Sequence, residues 1–142
     1  MRYPLKKIPY GKGWLLSPYI PIKITNPLTG DSFSTDALVD SGASRNLCSE
    51  KIAKILGIDD IRDTEISKGE AFTTITGSKM KAYPHRVTIE LEKNCKRSIV
   101  VFFSSDIPEE VLILGMHGFF DHFKVTIDTR HEVIVVTPFK PR

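Results

Sequence analysis

The chain has 142 residues, one domain's worth, and its 41% hydrophobic content is too high for disorder and enough for a core. A net charge of +3 arises from cations scattered among acids, an ordinary solvated surface that does not by itself indicate nucleic acid. The two cysteines, Cys48 and Cys95, lie outside any CxxC spacing, which argues against zinc and dithiol redox classes.

Met1 to Pro18 combines three prolines and two glycines with Lys6, Lys7 and Lys12, and reads as an irregular arm that packs on the domain or on a partner subunit. The domain proper is expected over 19–142. Tyr19 to Thr25 alternates as a strand, Asn26 to Asp31 is a hairpin loop, and Phe33 to Val39 is the returning strand. Ser49 to Leu56 is a short helix with Ser49 as N-cap, Gly57 as its stop, and Ile52, Ile55 and Leu56 as its buried side. Ile66 to Ile75 and Lys79 to Leu91 form a long hairpin with the small tip Thr76-Gly77-Ser78. Glu92 to Arg97 is expected as a charged turn, Ser98 to Phe103 and Val111 to Leu114 as buried strands, and Met116 to His122 as a short helix. Phe123 to Ile127 and Val133 to Val136 close the chain as a hairpin around Asp128. Short strands at regular spacing imply an all-β, barrel-like domain with one or two short helices. No apolar run approaches the ~20 residues of a membrane span, and no signal-like stretch opens the chain, so a cytoplasmic setting is expected.

Chemistry concentrates at Ala37-Leu38-Val39-Asp40-Ser41-Gly42-Ala43-Ser44. An apolar strand delivers a carboxylate onto a tight turn that contains a hydroxyl and a glycine. Such a carboxylate, held at the edge of a core, is a candidate for acid/base work. The triplet Asp40-Ser41-Gly42 alone is a weak signal. The downstream run Val111-Leu112-Ile113-Leu114-Gly115, followed by a helix-like stretch, strengthens it. Together these segments resemble the retropepsin-like aspartic protease family from about Tyr19 to Val136.

The resemblance implies a closed barrel-like fold in which the long hairpin is a flap over the substrate. It matches Asp40 to the catalytic acid, Ser41 to the hydroxyl that locks the opposing loop, and Gly42 to the glycine beneath the substrate. Ala43 matches a pocket residue, the tip Thr76-Gly77-Ser78 with Ile75 matches the flap, and Ile113 matches the strand behind the loop. Pockets drawing on Ala43, Ile75, Ile113 and Leu38 would take an extended, largely apolar peptide as an added strand. Asp128 is expected to serve a structural turn. No second Asp-Ser/Thr-Gly exists in the chain, so the second carboxylate must come from Asp40 of another copy. This predicts a homodimeric aspartic endopeptidase that needs no cofactor or metal. Two carboxylates about 3 Å apart repel by roughly 5 kcal/mol at an effective dielectric near 20, so the pair retains one proton, as is established for aspartic proteases generally.

Several positions depart from the retroviral pattern. Ser44 and Arg45 stand where retroviral members carry an acid that grips the substrate backbone. The hairpin tip has one glycine, and the arm before Tyr19 is longer. Pro138 and Pro141 limit how far a C-terminal strand can pair. These features look more like the cellular and bacterial members. The alternative function is a silent module that dimerises or binds peptide without cleavage.

Other chemistry fares worse. His117 and His122 are poorly spaced for a helical metal site, and His85 and His131 are isolated. Cys48 near a helix start has no assignable base. Nothing around Ser41 or Ser44 forms a serine-hydrolase elbow. Trp14 and the pairs Phe102-Phe103 and Phe119-Phe120 are expected in core or interface.

Overall fold

A computed structural model describes residues 1–66, 69–74, 76–92 and 94–140. Its barrel starts from β4 (Tyr19–Thr25) and β5 (Ser32–Val39), an antiparallel hairpin that pairs Tyr19 with Leu38 and Thr25 with Ser32. Alternation sends Ile20, Ile22 and Ile24 inward. Each such buried side chain contributes roughly 1.5–3 kcal/mol. After β5 come β6 (Asn46–Ser49), β7 (Glu70–Thr73), β8 (Lys79–Leu91), β9 (Cys95–Ser104) and β10 (Leu112–Leu114). The sheet order is β4-β5-β10-β6-β9-β8-β7, and β8 also pairs back onto β4 through Ile89 and Ile24. Six strands therefore close on themselves and leave no open edge in the barrel. Val87, Ile89, Val101, Phe103, Leu112 and Leu114 fill its interior with the β4 isoleucines.

Helix α1 (Glu50–Ile55) starts where Ser49 Oγ accepts from the Ile52 amide at 3.3 Å. Its buried face is Ile52, Ala53 and Leu56, while Ile55 is 41% exposed. The expected grouping of Ile55 with that face is corrected. At 100° per residue, Ile52, Ala53 and Leu56 share one stripe and Ile55 falls beside it. The side chains of Asn26 and Thr29, from the β4–β5 turn, donate to the carbonyl of the C-cap residue, Leu56, at 2.8 and 3.1 Å.

Three further expectations change. Strand β9 begins at Cys95, so the charged turn is shorter than 92–97. Lys96 lies opposite Glu90 on β8 and reaches it at 3.4 Å, which extends the ladder with an exposed ion pair. Helix α2 covers only Phe119–His122, not the whole of 116–122. The amides of Met116 and His117 instead bond to the loop after Asp40.

The arm is not irregular. Strand β1 (Arg2–Pro4) pairs with β12 (Val133–Pro138), which pairs with β11 (Phe123–Asp128) in a separate three-stranded sheet. Tyr3 and Leu5 enter the core. β2 (Lys6–Tyr10) and β3 (Gly13–Ser17) form a two-stranded hairpin. Its Trp14 is 65% exposed and so is not a core residue. Asp128 takes the turn role expected of it. It accepts from the His131 amide at 3.0 Å and meets the His131 ring at 2.7 Å. Those bonds, the backbone one first, hold its carboxyl below the usual range. Among the described residues, no helix is long and apolar enough to cross a membrane.

Candidate active site

Asp40 follows the last residue of β5. Val39 pairs in parallel with Leu114 of β10, so the segment ending in Gly115 runs alongside the turn. The Asp40 amide donates to Leu114 O at 2.9 Å. Its Oδ1 accepts from the Gly42 amide at 2.8 Å, and the Ala43 amide closes the turn on Asp40 O at 3.1 Å. The carboxylate is thus oriented by its own loop, as an Asx-type turn does. Asp40 is half-buried, Ser41 and Gly42 are exposed, and Ala43 is intermediate.

The loop is then clamped from behind. Met116 N donates to Ala43 O at 2.8 Å, and His117 N donates to Ser44 O at 3.1 Å. Gly115 permits this approach. A Cβ there would lie 2.2 Å from Arg45 O and 2.7 Å from Ala43 O.

Asn46 was not singled out by the sequence, and it joins the parts. Fully buried, it accepts from the Gly115 amide through Oδ1 at 2.8 Å and donates through Nδ2 to Val100 O on β9 at 3.0 Å. Gly118, at φ +130°, makes room for it, since a Cβ there would fall 2.1 Å from Nδ2. One amide therefore ties the Asp40 loop, the end of β10 and β9 together.

Ile113 of β10 lies between Leu38 on β5 and Leu47 on β6, and all three are half-buried on the face opposite the core. Leu47 was also missed. Phe102 on β9 stands beside Leu47, and Phe72 of β7 packs edge-on against it at 5.6 Å. Arg45 lies over the Phe102 ring at 6.0 Å and reaches Glu70 of β7 at 3.7 Å. The β7–β8 hairpin is thus set against the strand that leaves the Asp40 loop, with apolar side chains between.

The tip of that hairpin is closed by its own bonds. Thr74 N donates to Ser78 O at 2.8 Å, Gly77 N donates to Thr74 O at 2.9 Å, and Thr76 Oγ1 lies 3.0 Å from Thr74 Oγ1. Thr76, Gly77 and Ser78 are exposed, and Ile75 lies outside the described residues. Larger cavities of about 920 and 550 Å³ lie elsewhere, at Arg97 and Phe139 and beside Lys23 and Glu90. Neither touches Asp40.

Cys48 is fully buried, and burial pushes its thiol up, away from the reactive thiolate. No cluster of three His, Cys, Asp or Glu suited to a metal occurs among the described residues.

No family model and no curated protein matches this chain. Solved structures do. A retropepsin-like aspartic protease from Rickettsia conorii superposes with a TM-score of 0.63 at 21% identity, covering 96% of this chain and 98% of that one. The retroviral protease-like domain of Ddi1 from Leishmania major gives 0.55 at 19% identity, covering 89% and 96%. This chain therefore has the retropepsin-like fold.

Proposed function

We propose that the chain is an aspartic endopeptidase that works as a homodimer, with Asp40 of each copy flanking one water. The observation that carries this reading is the Asp40 loop itself. A carboxylate is oriented by Gly42, clamped through Gly115 and Asn46, and yet borders the exposed Ser41 and Gly42. One copy supplies one such carboxylate, and this reading takes the second from Asp40 of another copy.

One ionised Asp40 takes the proton of the water, and the protonated Asp40 opposite polarises the scissile carbonyl. Ser41 hydrogen-bonds across to the partner loop, and Gly42 underlies the substrate backbone. The peptide lies extended beneath the β7–β8 hairpin, whose Thr76-Gly77-Ser78 tip acts as a lid. Ala43, Ile113 and Leu38 were expected to line its pockets, and Leu47 and Phe102 join them by position. Ile75 is retained on sequence grounds alone.

The test is cleavage of an unfolded protein by the wild type and by Asp40→Asn, with dimerisation followed in parallel. The wild type should cut, with a maximum in mildly acidic solution between the two titrations of the pair. Asp40→Asn should dimerise and not cut. Equal cleavage by both would remove Asp40 from the mechanism. Peptide binding without any cleavage by the wild type would establish the silent module instead.

A further inference from the structure

Among the described residues, the β2–β3 hairpin is a sheet of its own, paired with neither the barrel nor the terminal sheet. Two strands alone are marginal in water and need a covered apolar face. Here both faces are apolar. The register sets Ile8 opposite Leu15 on one face, and on the other Pro9 opposite Trp14 and Lys7 opposite Leu16. Tyr10, Trp14 and Leu15 are 68%, 65% and 48% exposed. The base of the hairpin is held in place. Lys6 reaches Asp36 at 3.8 Å and lies over the Tyr19 ring at 5.0 Å, and Lys7 reaches Glu132 at 3.6 Å. The ribbon is aimed by these contacts while its aromatic end stays uncovered.

We propose that this hairpin is a docking arm and that its occupant is a second copy of the same chain. The inference rests on the dimer proposed above but requires no catalysis. Three observations favour this occupant. The first is continuity. A shallow cavity of about 310 Å³ extends the hairpin surface along Ile8, Tyr19, Leu38 and Leu112, with Lys6, Asp36 and Glu110 also in its wall. Leu38 is two residues short of Asp40, so this path, part apolar and part charged, ends near the loop a second copy must reach.

The second is area. A stable interface hides about 800 Å² per partner, more than the four-residue loop Asp40–Ala43 supplies. An aromatic side chain buries on the order of 150–250 Å², and Tyr10 and Leu15 lie on the face opposite Trp14, so the roughly half of the requirement that the three supply is reached by a partner that clasps both faces. Strand β1 already pairs with β12 of its own chain, whereas the hairpin pairs with no further strand among the described residues.

The third is charge. The hairpin holds three cations (Lys6, Lys7, Lys12) and no acid. Lys6 and Lys7 meet acids of their own chain, so the charge offered to another copy is that of Lys12 at the turn.

Trp14 is the only tryptophan in the chain, so its fluorescence reports on the arm without labelling. The experiment uses the full chain, as wild type and as Asp40→Asn. Sedimentation gives the oligomeric state, and acrylamide quenching gives the exposure of Trp14 at the same concentrations. In dimeric protein Trp14 should be blue-shifted and severalfold less quenchable than free indole. Where dilution yields monomer, the protection should disappear with it. The double variant Tyr10→Ser, Trp14→Ser should fold with an unchanged circular dichroism spectrum and dimerise roughly tenfold or more weakly, as loss of aromatic anchors does.

A dimer with fully quenchable Trp14, a double variant that dimerises as wild type does, or a wild type monomeric at every concentration would each overturn the proposal. So would a blue shift that appears only on adding phosphatidylserine–phosphatidylcholine vesicles, which would assign the hairpin to a lipid surface. A protected Trp14 in a dimer that never cleaves peptide would sink the proteolytic reading and leave the docking arm standing. A cleaving dimer with a wet Trp14 would do the reverse.

Discussion

In the loop that carries Asp40, backbone groups are held by partners far away in sequence. Leu114, Met116 and His117 bond to Asp40, Ala43 and Ser44, and Asn46 reaches Gly115 and Val100 across 69 and 54 residues. In the tip of the β7–β8 hairpin, the bonds of the described residues run only among Thr74, Thr76, Gly77 and Ser78. The first region opens only when the barrel does. The second is free to open locally, because its bonds are short-range and its side chains exposed. A site that must aim a carboxylate and also admit an extended chain needs both kinds of construction.

The contrast is broken most severely at Gly115. Gly115→Ala places a methyl against Arg45 O and Ala43 O with no side chain able to yield, and is expected to cost about 3 kcal/mol or more in urea unfolding. Next comes Asn46→Leu, similar in volume. It strands the Gly115 amide and the Val100 carbonyl, at about 1–3 kcal/mol each, and cleavage should fall with stability. At the hairpin tip the order of effects reverses. Gly77→Ala meets nothing within 4 Å, and its φ of +84° costs only about 1–2 kcal/mol locally. Global melting should hardly move, while peptide turnover should change clearly. Equal losses of stability at Gly77 and Gly115 would show that the two regions are not distinct.

The smallest effect is expected at Asp128. Its carboxyl lies below the ordinary value in the folded chain, chiefly through the His131 amide and then the His131 side chain. Its contribution is therefore present above the unfolded value of 3.8 and is lost as pH falls through the lower folded value. Asp128→Asn should melt slightly below wild type near neutral pH, and the gap should close in acid. A gap that widened in acid would contradict the assignment. Solvent exposure of the pair keeps the effect small.

The sequence displayed those parts of the molecule whose cause is local. An alternating run gave β4, a Ser/Gly pair bracketed α1, and an apolar strand broken by Asp40-Ser41-Gly42 gave the candidate loop. It concealed the parts whose cause is distant. Asn46 looks like any polar residue near a turn until β9 and Gly115 are folded against it. Leu47 joins the apolar cluster only beside Ile113 and Phe102. The β2–β3 hairpin was obscured by Pro9 within it and by Pro4 and Pro18 on either side. Pro9 stands opposite Trp14 in a ribbon with no further strand alongside among the described residues, where a missing amide donor is tolerated. Gly11, at φ +57°, and Lys12 form the tight turn that joins the two strands.

The central claim is a pair of Asp40 carboxylates, one from each copy, and subunit mixing tests it most directly. Wild type and Asp40→Asn are combined in equal amounts, allowed to exchange, and assayed on an unfolded protein at fixed total concentration. Random pairing leaves about one dimer in four with both acids, so activity should fall to roughly a quarter of that of the undiluted wild type. Retention of half the activity would mean that each Asp40 works alone, and the shared pair would have to be abandoned.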